Sequence, residues 1–305
     1  MTALRIRIEG ASSPFPVDRL DAGVALLRAA GHVVDADHAG PVGRHAYLNG
    51  DDQHRLASLE DALRSDVDVV LLARGGYGLT RIVDDLFADG WPDRLPLVCG
   101  FSDVTALFAR FAVAGRLDRC IHGPLATSIA GEPADSRTRF FAALHGDVVD
   151  DVALDVVVGG DVERVEGPLF AANLVVLAAL CGTPAMPDLR GHIVVVEEVG
   201  ERPYRLDRLL TQLINSGAFD GVLAVVVGHL TGCDEPANPN PNALRDPAPS
   251  GRDVVVERLA CLGVPVLGGL PAGHEAPNLA LPLGGRVVVE IAAATTPSTA
   301  TLSWR

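Results

Sequence analysis

Ser102 lies in Leu97-Val98-Cys99-Gly100-Phe101-Ser102-Asp103-Val104, where an apolar run passes through Gly-Phe-Ser straight into a helical pattern. A hydroxyl at such a strand-to-helix turn sits where an exposed nucleophile would sit, as in the elbow of hydrolases. Val104, however, takes the place of the second glycine of G-x-S-x-G, so that motif is incomplete. The plainer alternative is that Ser102 caps the following helix. A nucleophilic serine needs a base, and nine histidines are available. His274 stands out because it follows Gly268-Gly269-Leu270-Pro271-Ala272-Gly273 at the carboxyl end of a candidate strand, Val264–Leu267. Sites of α/β proteins gather at such ends. His122, in Ile121-His122-Gly123-Pro124, is the second choice. A carboxylate to orient the imidazole is offered by Glu197 and Glu198, which end the apolar run Ile193–Val196. Strand alternation lets one of the two face a given side, and an ordinary solvated strand end is the competing reading. Ala73-Arg74-Gly75-Gly76-Tyr77-Gly78 follows the apolar run Val69–Leu72. Its glycines permit a tight turn that presents backbone N–H groups to a ligand, or simply a strand-to-helix turn.

These residues need elements to position them. In the first half, candidate strands Leu4–Ile8, His32–Val34, Val67–Ala73 and Leu97–Gly100 alternate with amphipathic patterns over 18–30, 54–64 and 79–88. That alternation predicts a doubly wound α/β domain with a parallel sheet over residues 1–130. Residues 131–166 are richer in charge and turn formers and read as a crossover linker, with a strand at Leu154–Val158. Residues 167–305 read as a second, barrel-like β/α domain: helices around 171–181, 206–215 and 253–261, and strands at Ile193–Val196, Val222–Val227 and near 264–267 and 286–291. The proline-rich stretch 233–250 reads as an exposed loop.

Composition removes several function classes. All 25 basic residues are arginines, so Schiff-base enzymes, Ser-Lys dyads and the Walker lysine are excluded. A formal charge of −14 without a basic cluster argues against nucleic acid and anionic lipid as partners. The five cysteines, Cys99, Cys120, Cys181, Cys233 and Cys261, form no C-x-x-C pair and read as reduced thiols. No H-E-x-x-H or similar spacing suggests a metal, and no cofactor is expected. No apolar run reaches the ~20 residues of a membrane span and no signal-peptide core opens the sequence, so a soluble, cytoplasmic protein is expected.

The motifs taken together resemble the LD-carboxypeptidases (muramoyltetrapeptide carboxypeptidases), a family of serine peptidases that includes the microcin C immunity peptidases. The resemblance spans most of the chain. It rests on Ala73–Gly78, Gly100–Leu107 (GFSDVTAL), His122-Gly123-Pro124, Asn173-Leu174 with Gly182-Thr183-Pro184, Glu197–Gln212 (EEVGERPYRLDRLLTQ), and Gly273-His274 leading to Asn278–Gly284 (NLALPLG). It implies a glutamine-amidotransferase-like amino-terminal domain, a carboxy-terminal barrel-like domain, and a Ser102–His274–Glu197 triad assembled across their interface, with Glu198 as the alternative carboxylate. The implied oxyanion donors are the backbone N–H groups of Asp103 and of Gly75 or Gly76. Arg74, Tyr77 and Arg205 become candidate substrate contacts, the arginines as anchors for a free carboxylate or, for Arg205, as a surface pair with Glu201 or Asp207. The implied substrate is cytoplasmic murein tetrapeptide, cut before its terminal D-alanine by a homodimer. Ala171-Ala172-Asn173 replaces the family's Gly-Gly-Asn, and the 233–250 loop looks inserted. Both departures bear on specificity. Two other readings are kept: a microcin-immunity-like peptidase acting on aminoacyl or peptidyl adenylate analogues, and a non-catalytic small-molecule-binding module.

Overall fold

In the computed structural model, residues 2–36, 45–159, 162–235, 249–292 and 299–305 are described. His38 and most of the proline-rich loop, 236–248, lie outside them. The chain divides into two compact units: Met1–Val149 with Gly182–Pro187 and Ala276–Gly284, and Asp150–Cys181 with Asp188–Glu275 and Gly285–Arg305.

The chain begins in the first unit with β1 (Arg5–Glu9), α1 (Val17–Ala29), β2 (Val33–Asp35), α2 (Asp52–Arg64), β3 (Val69–Leu72), β4 (Leu97–Gly100), α3 (Thr105–Val113), β5 (Cys120–His122) and α4 (Ala134–His145). It continues in the second with β6 (Val152–Val158), β7 (Arg164–Asn173), α5 (Leu174–Leu180), β8 (Ile193–Val199), α6 (Pro203–Asn215), β9 (Ala224–Thr231), α7 (Gly251–Ala260) and β10 (Val266–Gly268). β11 (Leu281–Pro282) returns to the first unit, and β12 (Arg286–Ile291) and β13 (Thr299–Trp304) close the second.

The first unit's sheet has the order β11-β5-β4-β3-β1-β2, parallel except for β11, which pairs antiparallel with β5. All four residues of β3 are buried, as expected of a central parallel strand covered on both faces. The expected helix over 79–88 is a single 3₁₀ turn, Leu79–Arg81, followed by a chain of turns. Phe87 adopts φ 55°, its N–H donates to Glu60 Oε1 at 2.7 Å, and Arg64 stacks on its ring, so the segment is pinned to α2. Its apolar residues still point inward: Leu79, Ile82, Val83 and Leu86 are all buried. Periodicity therefore reported burial correctly and helix type wrongly.

The second unit is a closed barrel of order β10-β6-β13-β12-β7-β8-β9. β7, β8, β9 and β10 run parallel; the remaining pairings are antiparallel. α6 lays Leu206, Leu210 and Leu213, spaced three and four apart, on the core side. The residues 131–166 are divided between the units rather than forming a separate segment. Helix α4 buries Phe140, Ala143 and Leu144 and ends on the left-handed Gly146 in the first unit, while β6 and the start of β7 enter the barrel. The expected helix at 171–181 begins only at Leu174, because Ala171 and Ala172 are buried residues of β7 paired with Val195 and Val196.

Candidate active site

In the first unit, β4 delivers the chain to Ser102 at the sheet's carboxyl end. Ser102 has φ 66°, a left-handed backbone conformation that costs a non-glycine residue of order 1–3 kcal/mol. It opens the 3₁₀ turn Ser102–Val104 instead of standing before it; Phe101 occupies the capping position and makes no side-chain cap. The simple N-cap alternative thus does not describe this serine. The strained turn is held against the glycine-rich segment: a Cβ added to Gly75 would come 2.9 Å from Ser102 Cβ and 3.2 Å from Oγ. Only glycine permits that approach. Gly76, at φ 104°, backs onto the Ser13 side chain. Ser13 Oγ accepts from the Tyr77 N–H at 3.1 Å and donates to the Tyr47 carbonyl at 2.8 Å. Arg74 and Tyr77 are exposed; Arg74 Nη1 donates to the Pro14 carbonyl at 2.5 Å, and the Tyr77 ring lies 6.0 Å from that of Tyr47.

Asp103, expected only as a backbone donor, also anchors this turn through its side chain. The carboxylate is buried; Oδ2 accepts from Ser12 Oγ at 2.7 Å and from the Leu79 N–H at 3.0 Å. It thereby ties together the segments that carry Ser12, the glycine turn and Ser102. Burial raises its pKa above the ordinary aspartate range, against the opposing pull of the Leu79 N–H, Ser12 and the nearby Arg55 charge. His122, the second candidate base, is fully buried on β5 beside Phe101, with ring centroids 5.8 Å apart.

In the second unit, His274 Nδ1 lies 2.7 Å from Glu197 Oε2, with Glu197 fully buried and the imidazole partly exposed. Room for the carboxylate comes from Gly273, at φ 130°, where a Cβ would meet Oε2 at 2.8 Å. The β9 end supports the same turn: the His229 N–H donates to the Ala272 carbonyl at 2.8 Å, and the Glu275 N–H donates to His229 Nδ1 at 3.3 Å.

The two adjacent glutamates are separated by an irregularity in β8. Register with β9 shifts between Val196 and Glu198, so strict alternation fails there and both side chains are buried. Glu197 turns to His274, while Glu198 accepts from Asn173 Nδ2 at 3.0 Å, the Val175 N–H at 2.8 Å and the Val199 N–H at 2.8 Å. Glu198 therefore serves the amino end of α5, where Asn173 Oδ1 also caps the Val176 N–H. Burial raises the pKa of Glu198; its three hydrogen bonds oppose the shift and the neighbouring Glu197 adds to it.

Arg205, an expected carboxylate anchor, is exposed on α6, with Nη1 3.3 Å from Glu201 Oε2 and Nε donating to Tyr204 Oη at 3.1 Å. That is the surface pairing with Glu201 anticipated as its alternative. Among the described residues no cluster of His, Cys, Asp or Glu could hold a metal, and no helix is long and apolar enough to cross a membrane. Cys99, Cys120 and Cys233 are buried, and burial pushes the Cys233 thiol up to about 11.

Sequence reading missed the Asp103 carboxylate, His229 and the supporting role of Gly273. Asp103 sits inside the quoted GFSDVTAL motif, so a signal existed; His229 follows a glycine at a strand end, as His274 does.

Comparison with known proteins shows the family of the chain. Residues 6–123 match the LD-carboxypeptidase N-terminal domain and residues 166–289 the LD-carboxypeptidase C-terminal domain. The chain is 32% identical to the murein tetrapeptide carboxypeptidase of Pseudomonas aeruginosa, over 94% of this chain and 93% of that protein. It resembles the crystal structure of muramoyltetrapeptide carboxypeptidase from Oxalobacter formigenes with a TM-score of 0.78 and 28% identity, over 98% of each chain. The structure of MccF in complex with glutamyl sulfamoyl guanosine shares the fold at a TM-score of 0.76 and 19% identity, covering 100% of this chain and 97% of that one.

Proposed function

The chain belongs to the LD-carboxypeptidase family, and from that premise we propose that it is a serine-type LD-carboxypeptidase that removes the terminal D-alanine from murein tetrapeptide. The observation that carries this reading is the 2.7 Å pair between His274 Nδ1 and a fully buried Glu197. A carboxylate in that position holds the imidazole in the tautomer whose Nε2 accepts a proton, and it stabilises the imidazolium that forms. Ser102 is the nucleophile. As its hydroxyl attacks the scissile carbonyl, the proton passes to His274 Nε2 and then to the leaving amine of D-alanine; water repeats the cycle to release the shortened peptide. The backbone N–H groups of Gly76 and Asp103 are the proposed oxyanion donors, an interaction worth roughly 3–4 kcal/mol per donor in such sites. Glycine at 75 supports this assignment by letting the turn sit against Ser102. Arg74 and Tyr77, exposed on the same turn, are the proposed contacts to the peptide. As in the family, the setting is recycling of murein peptides in the cytoplasm by a homodimer.

The fold likeness to MccF supports a second reading, cleavage of aminoacyl or peptidyl adenylate analogues. Offering the purified protein a murein tetrapeptide and glutamyl sulfamoyl adenosine side by side decides between them. Release of D-alanine with the sulfamoyl compound intact is the expected result. Cleavage of the sulfamoyl compound alone would transfer the chain to the immunity branch.

A further inference from the structure

The glycine turn that meets Ser102 at Gly75 meets Arg55 at Gly78. Arg55 is the fourth residue of α2, and its side chain is fully buried. Nη1 donates to the Ala11 carbonyl at 2.7 Å and Nη2 to Asp52 Oδ1 at 2.5 Å. Gly78 has φ 140°, and a Cβ there would fall 2.6 Å from Arg55 Nη1, so the bare backbone lies directly on the guanidinium.

The same end of α2 fastens the chain that leaves β1. Asn49 Nδ2 donates to the Gly10 carbonyl at 2.8 Å, and the Asn49 N–H donates to the Ser12 carbonyl at 2.9 Å. With Arg55 on Ala11, three consecutive carbonyls are held by two residues, and the Ser12 hydroxyl beyond them donates to Asp103, the residue after Ser102. Asp52 adds a second tie. It accepts from Arg81 Nε at 2.9 Å and Nη2 at 2.5 Å, and Arg81 closes the 3₁₀ turn that continues from Gly78. Arg81 first, and then Arg55, hold the Asp52 carboxyl below the ordinary aspartate range, so it stays ionised between them. A guanidinium buried against one partly exposed carboxylate is a poor source of stability compared with an apolar side chain. What it supplies is a rigid planar fork that fixes several acceptors at once.

We propose that Arg55 is the positioning residue of the oxyanion turn: gripping the Ala11 carbonyl and backing the glycine turn at Gly78, it sets where the Gly76 and Asp103 N–H groups stand against Ser102. The assignment rests on the reading of Ser102 as the nucleophile. Arg55 is sealed behind the turn and touches neither substrate nor reacting atoms. Its contribution is therefore made where charge develops on the oxyanion, and its loss falls on kcat rather than on KM.

Two readouts test this on the full chain: D-alanine release from murein tetrapeptide, and the rate at which an alkyl fluorophosphonate labels Ser102, followed by mass spectrometry. In the labelling step the bond from Ser102 Oγ to phosphorus forms, the P–F bond breaks with loss of fluoride, and the hydroxyl proton passes to His274. The phosphoryl oxygen takes the oxyanion position, so labelling reports on the turn without a peptide. Arg55→Met should lower kcat and the labelling rate together by about 100-fold, with KM within about threefold of the parent. Arg55→Lys should restore part of both rates. Arg7→Met removes another buried arginine, whose partners are Asp61, Glu9 and the Ser58 carbonyl, and should leave both rates at the parent value. If Arg55→Met shows no cooperative thermal unfolding, Asp52→Asn takes its place, with an expected loss of about tenfold in both rates. A folded variant of either kind that labels at the parent rate would overturn the assignment. So would one whose KM rises as much as its kcat falls. If labelling is lost in the Arg55 variant while the parent releases no D-alanine, the positioning role stands and the carboxypeptidase reading fails; a parent chain that does neither overturns both.

Discussion

Gly273 and Glu197 are in such close contact that a single methyl group added to the glycine must displace one of them. A Cβ on Gly273 would meet Glu197 Oε2 at 2.8 Å and Glu197 Cβ at 3.1 Å, on a backbone whose φ of 130° already disfavours any other residue. Gly273→Ala must therefore shift either the carboxylate or the segment that bears His274. Displacements of about 1 Å in a catalytic group cost on the order of 100-fold in rate. The variant should lose at least that much in kcat while its circular dichroism stays that of the parent; a kcat within a few-fold would show that the turn tolerates the methyl.

The neighbouring glutamates should separate cleanly by type of defect. Glu197→Gln keeps the shape but loses the charge, and its amide can turn an NH2 group toward His274 Nδ1 and so select the other tautomer; comparable changes elsewhere cost about 10⁴ in kcat. Glu198→Ala leaves the Asn173 amide and the Val175 and Val199 N–H groups without their acceptor. With some of those groups reachable by water, the loss should be about 2–4 kcal/mol of stability. Denaturant unfolding and kcat on both variants check the pair. An inactive but stable Glu198→Ala protein would reverse the assignment.

Asp103 gives a pH signature. Because burial raises its folded-state pKa above the ordinary value of 3.8, the folded protein holds a proton that the unfolded chain has already released in the window between the two values. Stability contributed by that group therefore falls as pH rises through the window, from the unfolded value upward. Asp103→Asn, which keeps an acceptor for Ser12 and the Leu79 N–H, should remove that part of the slope in urea midpoints measured from about pH 3.5 upward. An unchanged slope would mean that the carboxyl titrates alike in both states.

What could be read in the sequence was what local chemistry specifies. Leu97–Gly100 is a strand over its expected span, with Ser102 two residues beyond its end, whereas β8 runs past the apolar residues through Glu197 and Glu198 to Val199. The resemblance named the family that the domain matches then showed. Harder to read was whatever depended on partners distant in sequence. Residues 134–145 carry three charges in their first six positions, DSRTR included, yet form a helix because Phe140, Ala143 and Leu144 find a core. The segment after Leu79 has helical periodicity but is held in turns by Glu60 and Arg64 of another helix. The choice between Glu197 and Glu198 needed the register shift in β8, which no single-strand pattern reveals.

The most direct test of the central claim is release of D-alanine from murein tetrapeptide by the purified chain and by its Ser102→Ala variant, both with a metal chelator present. Release that persists with the chelator and falls by at least about 10³-fold in the variant is the result expected of a serine nucleophile served by His274 and Glu197. Equal release by the two proteins, or none from the folded parent chain, would contradict it.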